Sequence, residues 1–191
     1  MQLDDAIKTR RSIRKYSLDA KGNPEKIDIE KILEIIDVAR YSPMAGGIFS
    51  LKFIVVLDRE KIKKIAEFCD QSFVADAYCL IIVCTDGDTT IKFYGERGER
   101  YLRQQAGAAI QNMLLKIREL NFGSVWIGYF YDEKIKELLK IPDNIFIEAI
   151  LPIGKIPKNL KLPEKKLIAY ERIIYFDEWK RKEIKEKILR H

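Results

Sequence analysis

Histidine is almost missing from this chain: the only one is His191. Without an internal imidazole, Ser-His-Asp and Cys-His catalysis are excluded, as are the usual histidine-bearing zinc sites. Cysteine is scarce as well. Cys69, Cys79 and Cys84 form no Cys-x-x-Cys pair, and two of them sit in an apolar run, so they read as buried thiols in a reducing compartment. No uncharged run approaches the roughly 18 residues of a membrane span. Asp4 and Asp5 interrupt any signal-peptide pattern, and the expectation is a cytoplasmic protein with no membrane partner. A Walker loop is absent, and no Gly-x-Gly-x-x-Gly follows a strand, which disfavours the standard nucleotide-binding folds. There is no internal repeat and no low-complexity segment.

What is present suits one globular domain with a real core: 191 residues, 47% hydrophobic and 34% charged. The abundance of Lys, Glu and Ile leans toward a thermophilic source. The formal charge of +6 invites a nucleic-acid reading, but the whole surplus lies between Lys155 and Arg190, where twelve basic residues face six acidic ones. Mixed charges of this kind usually make a solvated face, so no nucleic-acid partner is expected.

The organising stretch runs from Ala106 to Gly128. Ala106 to Leu120 is apolar around most of its circumference, as a helix buried on several sides would be. Its small residues would admit a close backbone or a flat ligand. Asn121-Phe122-Gly123 stops it, with Gly123 expected in the left-handed region, and Ser124 to Ile127 reads as a buried strand ending at Gly128. Elsewhere the pattern predicts a short helix over Asp4 to Thr9, extended chain from Arg10 to Tyr16 and a turn at 20–24. A helix follows from Asp28 to about Tyr41, stopped by Pro43. Buried strands are expected over Phe53 to Leu57, Tyr78 to Cys84 and Phe146 to Ile153. Helices are expected over Arg59 to Cys69 and Glu133 to Leu139. The polar stretch 86–101 is expected to be mobile, Ile173 to Phe176 to be strand-like, and the chain from Asp177 onward to be a charged helix. Strands and helices interleave without strict βαβ alternation, which gives an α+β sandwich with a mixed sheet.

Two stretches carry chemistry. Arg10, Ser12 and Arg14, with Arg11 beside them, put three guanidinium groups and a hydroxyl into five residues. In extended chain alternate residues share a side, so two forks and a hydroxyl could converge on one phosphate. A solvated basic turn fits the same residues. Ser42-Pro43-Met44-Ala45-Gly46-Gly47 is a small-residue loop able to bring backbone close to a planar ligand, or simply a helix-to-strand turn.

The order of these elements resembles the FMN-dependent nitroreductase family. Its marks here are the Arg-x-Ser-x-Arg start, the Ser-Pro-small loop, Gly123-Ser124-Val125-Trp126-Ile127-Gly128 after the central helix, and Leu151-Pro152-Ile153-Gly154-Lys155 before a basic tail. The resemblance spans roughly Leu3 to Tyr170 and implies a nitroreductase-like sandwich with a mainly antiparallel sheet, a central buried helix and an extended C-terminal arm. It implies FMN as cofactor, NAD(P)H as co-substrate and a small-molecule electron acceptor such as a nitroaromatic or quinone. It assigns Arg10, Arg11, Ser12 and Arg14 to the phosphate and part of the flavin ring, and Pro43, Met44, Ala45 and Gly47 to the isoalloxazine. Trp126, Ile127 and Gly128 go to the flavin edge, Gly154 and Lys155 to the phosphate side, and Lys161 to a position where relatives carry Arg. Arg14 and Lys15 are the candidate electrostatic tuners, and no side chain is expected to act as a catalytic acid or base.

The resemblance also implies one FMN-binding domain over residues 1–163, with an arm and helix over 164–191 packing on a second subunit of a homodimer. The apolar segments Leu167 to Tyr170 and Ile173 to Phe176 agree with that, since exposed they would be a liability. The chain departs from the family where Gly47-Ile48-Phe49-Ser50-Leu51 replaces the frequent Asn-x-Gln-Pro-Trp. Two alternatives stay open: a protein that stores or senses FMN without turnover, and a specialised branch such as a reductive dehalogenase or a peptide-azoline oxidase.

Overall fold

In the computed structural model, residues 1–162 and 164–182 are described. The chain divides into two compact units, Met1–Leu160 and a second that begins at Lys161.

The first unit is built on one antiparallel sheet. Its strands are β1 (Leu51–Val56), β2 (Cys79–Asp86), β3 (Phe122–Gly123) and β4 (Ile145–Lys155), in the order β1-β2-β4-β3. Every pairing in it is antiparallel. The continuous apolar runs of β2 and β4 follow from burial on both faces. Leu80, Ile82 and Ile150 pack on one side with Ile62 and Ile65 of α3 (Arg59–Phe68) and Ile135 of α6 (Asp132–Leu139). Ile81, Val83, Leu151 and Ile153 pack on the other with Ile32 and Ile35 of α2 (Ile29–Asp37) and Ile110 and Met113 of α5 (Arg97–Glu119). A bulge between Val83 and Cys84 shifts the register of β2 against β4. Asp58 caps α3 by accepting from the Lys61 N–H at 2.9 Å, a bond worth about 1 kcal/mol.

The central helix is present and longer than its apolar stretch suggests. α5 starts at Arg97, nine residues before Ala106, because its first turns pack under α4 (Asp88–Tyr94). The expected mobile stretch at 86–101 is therefore two helices meeting at Gly95. Gly98 is buried, and a Cβ there would stand 2.7 Å from the Ile91 Cα, so the missing side chain is what lets the helices touch.

Two further expectations change. The left-handed residue after α5 is Asn121, at φ 59°, not Gly123. The strand after it is only Phe122–Gly123, with an isolated bridge from Ile127 to Ile150 farther along. Gly123 is small for another reason: a Cβ on it would sit 2.7 Å from Ile13 Cγ2. All three cysteines are free and buried, and no described helix is long and apolar enough to cross a membrane.

In the second unit, Tyr170–Arg172 forms a single 3-10 turn and Ile173 to Phe176 is not a strand. Residues 177–180 are bends and turns rather than the start of a helix, and the rest of that expected helix, 183–191, lies outside the described residues. The segment closes on itself locally. Phe176 N–H donates to Arg181 O at 2.9 Å, Tyr175 packs against Trp179, and the Lys182 ammonium lies 4.0 Å from the Tyr175 ring centre. Ile173 and Ile174 N–H both donate to Tyr170 O at 3.0 Å, so turn bonds rather than a ladder hold this stretch among the described residues.

Candidate functional site

Three of the expected segments are stitched together along the β3–β4 edge of the sheet. The N-terminal segment leaves α1 (Leu3–Thr9) and runs from Arg10 to Tyr16 without regular secondary structure. Two pegs hold it. Ile13 and Tyr16 are each 4% exposed and belong to the same core cluster as Val125, Ile127 and Ile150. Main-chain bonds fix it on either side of the pegs: Ile13 N–H donates to Ser124 O and Ser17 N–H to Lys155 O, both at 2.9 Å. The Tyr16 hydroxyl reaches Pro152 O at 3.3 Å, and burial pushes its pKa above the usual phenol value. β3 pairs Gly123 with Gly154 and Phe122 with Lys155, and Ile127 exchanges both backbone bonds with Ile150 at 3.0 and 3.1 Å.

Gly154 makes the close approach possible. A Cβ there would meet Tyr16 Cδ1, Cγ and Cβ at 2.6, 2.8 and 3.0 Å. Arg10 to Arg14 is thereby laid beside Ser124 to Gly128 and the end of β4. The pegs are three residues apart, so strict alternation breaks after Ile13 and both Arg14 and Lys15 face solvent.

The guanidinium groups are not equivalent. Arg11 Nη1 donates to Lys8 O at 2.8 Å and Arg10 O at 3.0 Å, closing the end of α1. Among the described residues, the side chains of Arg10, Ser12 and Arg14 have no hydrogen-bond or ion-pair partner. Two buried polar atoms nearby in sequence and strand, Arg11 Nε and Ser124 Oγ, are also unpaired, and a buried polar atom without a partner costs about 1–3 kcal/mol. A phosphate or hydroxyl-bearing ligand suits that set. Lys155 is half-buried and pairs with Glu25 at 3.3 Å.

Trp126 lies between the buried Val125 and Ile127 and is 42% exposed. Its Cη2 stands 3.9 Å from where a Cβ on Gly107 would be, so the small residues midway along α5 receive an indole edge. Gly128 beside it is open.

The fourth segment is held differently. Pro43, Met44, Ala45 and Gly47 lie on a loop between the 3-10 turn Val38–Tyr41 and β1, with Gly46 at φ 58° and Gly47 at φ 70°. Ser42 closes the preceding turn by donating to Ala39 O at 2.6 Å. Gln105 of α5 clamps the far side, its Nε2 donating to Ile48 O and its Oε1 accepting from Ser50 N–H, both at 3.2 Å. The hydroxyls of Ser50 and Thr90 are 2.8 Å apart, and the Tyr94 hydroxyl abuts Gly46. No hydrogen bond joins this loop to residues 10–17 or 122–128 among the described residues. Lys161 opens the second unit and is exposed.

Gln105, Tyr94, Tyr16 and Glu25 shape these segments and were not singled out from the sequence. Gln105 sits among Arg100, Arg103 and Gln104, so no local signal marks it, whereas Tyr16 offered one, three residues beyond Ile13.

The Nitroreductase family model matches residues 7–73 and 61–155. A relative from Archaeoglobus fulgidus, named as an NADH dehydrogenase/NAD(P)H nitroreductase, is 39% identical over 160 residues, covering 81% of this chain and 85% of its own. A solved FMN-dependent nitroreductase from Clostridium difficile superposes at TM-score 0.74 and 25% identity, covering 92% of this chain and 99% of its own. The NADPH:FMN oxidoreductase of Vibrio harveyi superposes at 0.79, covering 93% and 77%, and at 20% identity it shows the fold.

Proposed function

The chain belongs to the nitroreductase family of oxidoreductases, and from that membership we propose that it is an FMN-dependent enzyme taking hydride from NAD(P)H and passing electrons to a small acceptor such as a nitroaromatic or quinone. The observation that carries the reading is the stitched edge itself: Ile13 is bonded to Ser124 and Ser17 to Lys155, and among the described residues the side chains of Arg10, Ser12 and Arg14 have no hydrogen-bond or ion-pair partner. The Clostridium difficile protein's description as FMN-dependent and the Archaeoglobus protein's as NAD(P)H-linked support the choice of cofactor and reductant.

When bound, FMN supplies the redox chemistry by accepting and donating a hydride equivalent, so the protein needs no side-chain acid or base and its lack of internal histidine fits. Arg10, Ser12 and Arg14 would hold the phosphate through charge-assisted bonds, with Lys155 adding positive charge. Arg14 and Lys15 favour the electron-rich state of the ring by their charge. The backbone of Pro43 to Gly47 and of Trp126 to Gly128 offers flat surfaces and N–H groups that orient the ring. The Tyr94–Gly46 contact joins the acceptor side to α4.

The active species in this reading is a homodimer, with the domain over 1–163 binding flavin and the arm from 164 packing on the second subunit. Two observations support it. Among the described residues no hydrogen bond joins the small-residue loop to the stitched edge, so a second copy can bring them together. A cleft of about 250 Å³ lined by Met1, Leu3, Ala6, Val38 and Leu115 lies beside α5, and Leu3 is exposed.

Anaerobic mixing of the FMN-loaded protein with NADH and with NADPH tests the function. Loss of the yellow absorbance, and its return on adding a quinone or nitroaromatic, is the expected result. Tight FMN binding with no bleaching by either nucleotide would contradict the reductase and favour storage or sensing.

A further inference from the structure

A short hairpin carries a carboxylate into the basic site. Leu18 bridges Pro24, Asp19 accepts from the Lys21 and Asn23 N–H groups at 2.8 and 2.9 Å, and Gly22 takes φ 79° at the tip. The returning strand places Glu25 against Ser17, its N–H donating to Ser17 O at 3.3 Å. Ser17 in turn donates its backbone N–H to Lys155 O, so the three residues are locked in register. The Glu25 carboxylate accepts from the Ser17 hydroxyl and lies 3.3 Å from the Lys155 ammonium.

Among the described residues the side chains of Arg10, Ser12 and Arg14, earlier in the same segment, have no partner, whereas Lys155 is already paired with a carboxylate. Both members of that pair are about two-fifths exposed, at 43% for Lys155 and 39% for Glu25. Water screens such a pair, and it can open at small cost. An incoming phosphate near Lys155 would meet a like charge from Glu25.

We propose that Glu25 is a built-in competitor for a phosphate monoester at Lys155, holding the ammonium in the free protein and weakening the grip on the cofactor's phosphate. The inference rests on the FMN reading above. The groups facing the carboxylate are the Ser17 hydroxyl, Lys155 and, farther off, Lys158, and together they hold its pKa below the usual glutamate value, the Ser17 bond contributing most. A phosphate arriving beside it acts in the opposite direction. The bound state therefore raises the Glu25 pKa relative to the free state, and binding takes up a proton in acid.

Equilibrium titration of FMN and of riboflavin into the wild type and Glu25→Gln tests this, since riboflavin lacks the phosphate and Gln keeps the bond to Ser17. Glu25→Gln should tighten FMN by about fivefold at pH 7.5 and low salt, the scale of one screened charge interaction, and leave riboflavin unchanged. The advantage should shrink as pH falls toward the carboxylate range. Glu25→Ala should show the same sign for FMN if the hairpin stays folded. Weaker FMN binding in Glu25→Gln, or an equal change for both flavins, would make Glu25 a support for Lys155 and overturn the proposal. If the wild type binds neither flavin, the cofactor reading falls and this inference with it; if it binds FMN and Glu25→Gln matches it at every pH, only the inference falls.

Discussion

The basic strand and the small-residue loop are built by opposite means. The strand at Arg10 to Ser17 is fixed by main-chain hydrogen bonds and two buried pegs, with glycines at 123 and 154 clearing room for them. The loop at Ser42 to Ser50 has one main-chain bond to the sheet, from Asp86 N–H to Ser50 O at 2.8 Å, and is otherwise held from outside by side chains: Gln105, Thr90 and Tyr94, all on α4 and α5. A backbone-held element tolerates changes at its own exposed side chains while keeping its position. A side-chain-held loop can be re-aimed by substitutions on the helices behind it. In the proposed enzyme this separates the fixed task, gripping a phosphate, from the adjustable one, shaping the acceptor side.

The sharpest way to break the comparison is at Gly154. Gly154→Ala drives a methyl into Tyr16, including its Cβ, and neither backbone has slack to move. It should cost about 3 kcal/mol of stability and release flavin, read by denaturant melts and by the absorbance of the purified protein. Gln105→Leu attacks the other region. It strands the Ser50 N–H and the Ile48 carbonyl and should cost about 2 kcal/mol, while the ratio of FMN to riboflavin affinity stays at the wild-type value. A change in that ratio would show that the loop and the phosphate side are not separable.

Tyr94→Ala removes the contact to Gly46 and the edge-on packing with Phe93 and Tyr101, whose ring centres lie 5.0 Å away on each side. About 1 kcal/mol should be lost, with acceptor KM changing more than FMN affinity. The smallest effect expected is none at all. Burial pushes the thiols of Cys69 and Cys79 up to about 12 and that of Cys84 to about 11, so at pH 8 the thiolate is scarce and shielded. In the native wild type and in Tyr94→Ala none of the three should react with a thiol reagent, and all three should react after unfolding. Rapid native labelling would show that the sheet between the two regions opens.

The fold was legible wherever one rule governed a stretch. Continuous apolar runs named β1, β2 and β4 because both faces of the sheet are covered, and the apolar circumference of Ala106 to Leu120 identified the central helix. The basic segment was legible as non-helical because it lacks a helical stripe, but its alternation breaks between Ile13 and Tyr16. Illegible were features set by partners distant in sequence. Gly123 looks like a helix stop, yet Ile13, more than a hundred residues away, is what requires it. The stretch 86–101 looks mobile because its helices are short and polar, and only packing between Gly98 and Ile91 makes them helices. Ser124 to Ile127 has strand composition but makes one bridge to β4, from Ile127 to Ile150, while Ser124 O takes the N–H of Ile13 instead. Ile173 to Phe176 looks like a strand and finds no ladder. The turn at 20–24 was legible, but the pairing of Glu25 with Ser17 and Lys155 was not, because Lys155 lies far away in sequence.

The central claim is that the stitched basic strand is a phosphate cradle. The most direct measurement compares FMN and riboflavin affinities in the wild type, Arg10→Ala and Arg14→Ala. The wild type should prefer FMN by at least about tenfold, and each substitution should weaken FMN by about 2 kcal/mol while riboflavin affinity barely changes, so that the two flavins converge. Equal affinity for FMN and riboflavin in the wild type, or arginine variants that keep the full preference for FMN, would contradict the account.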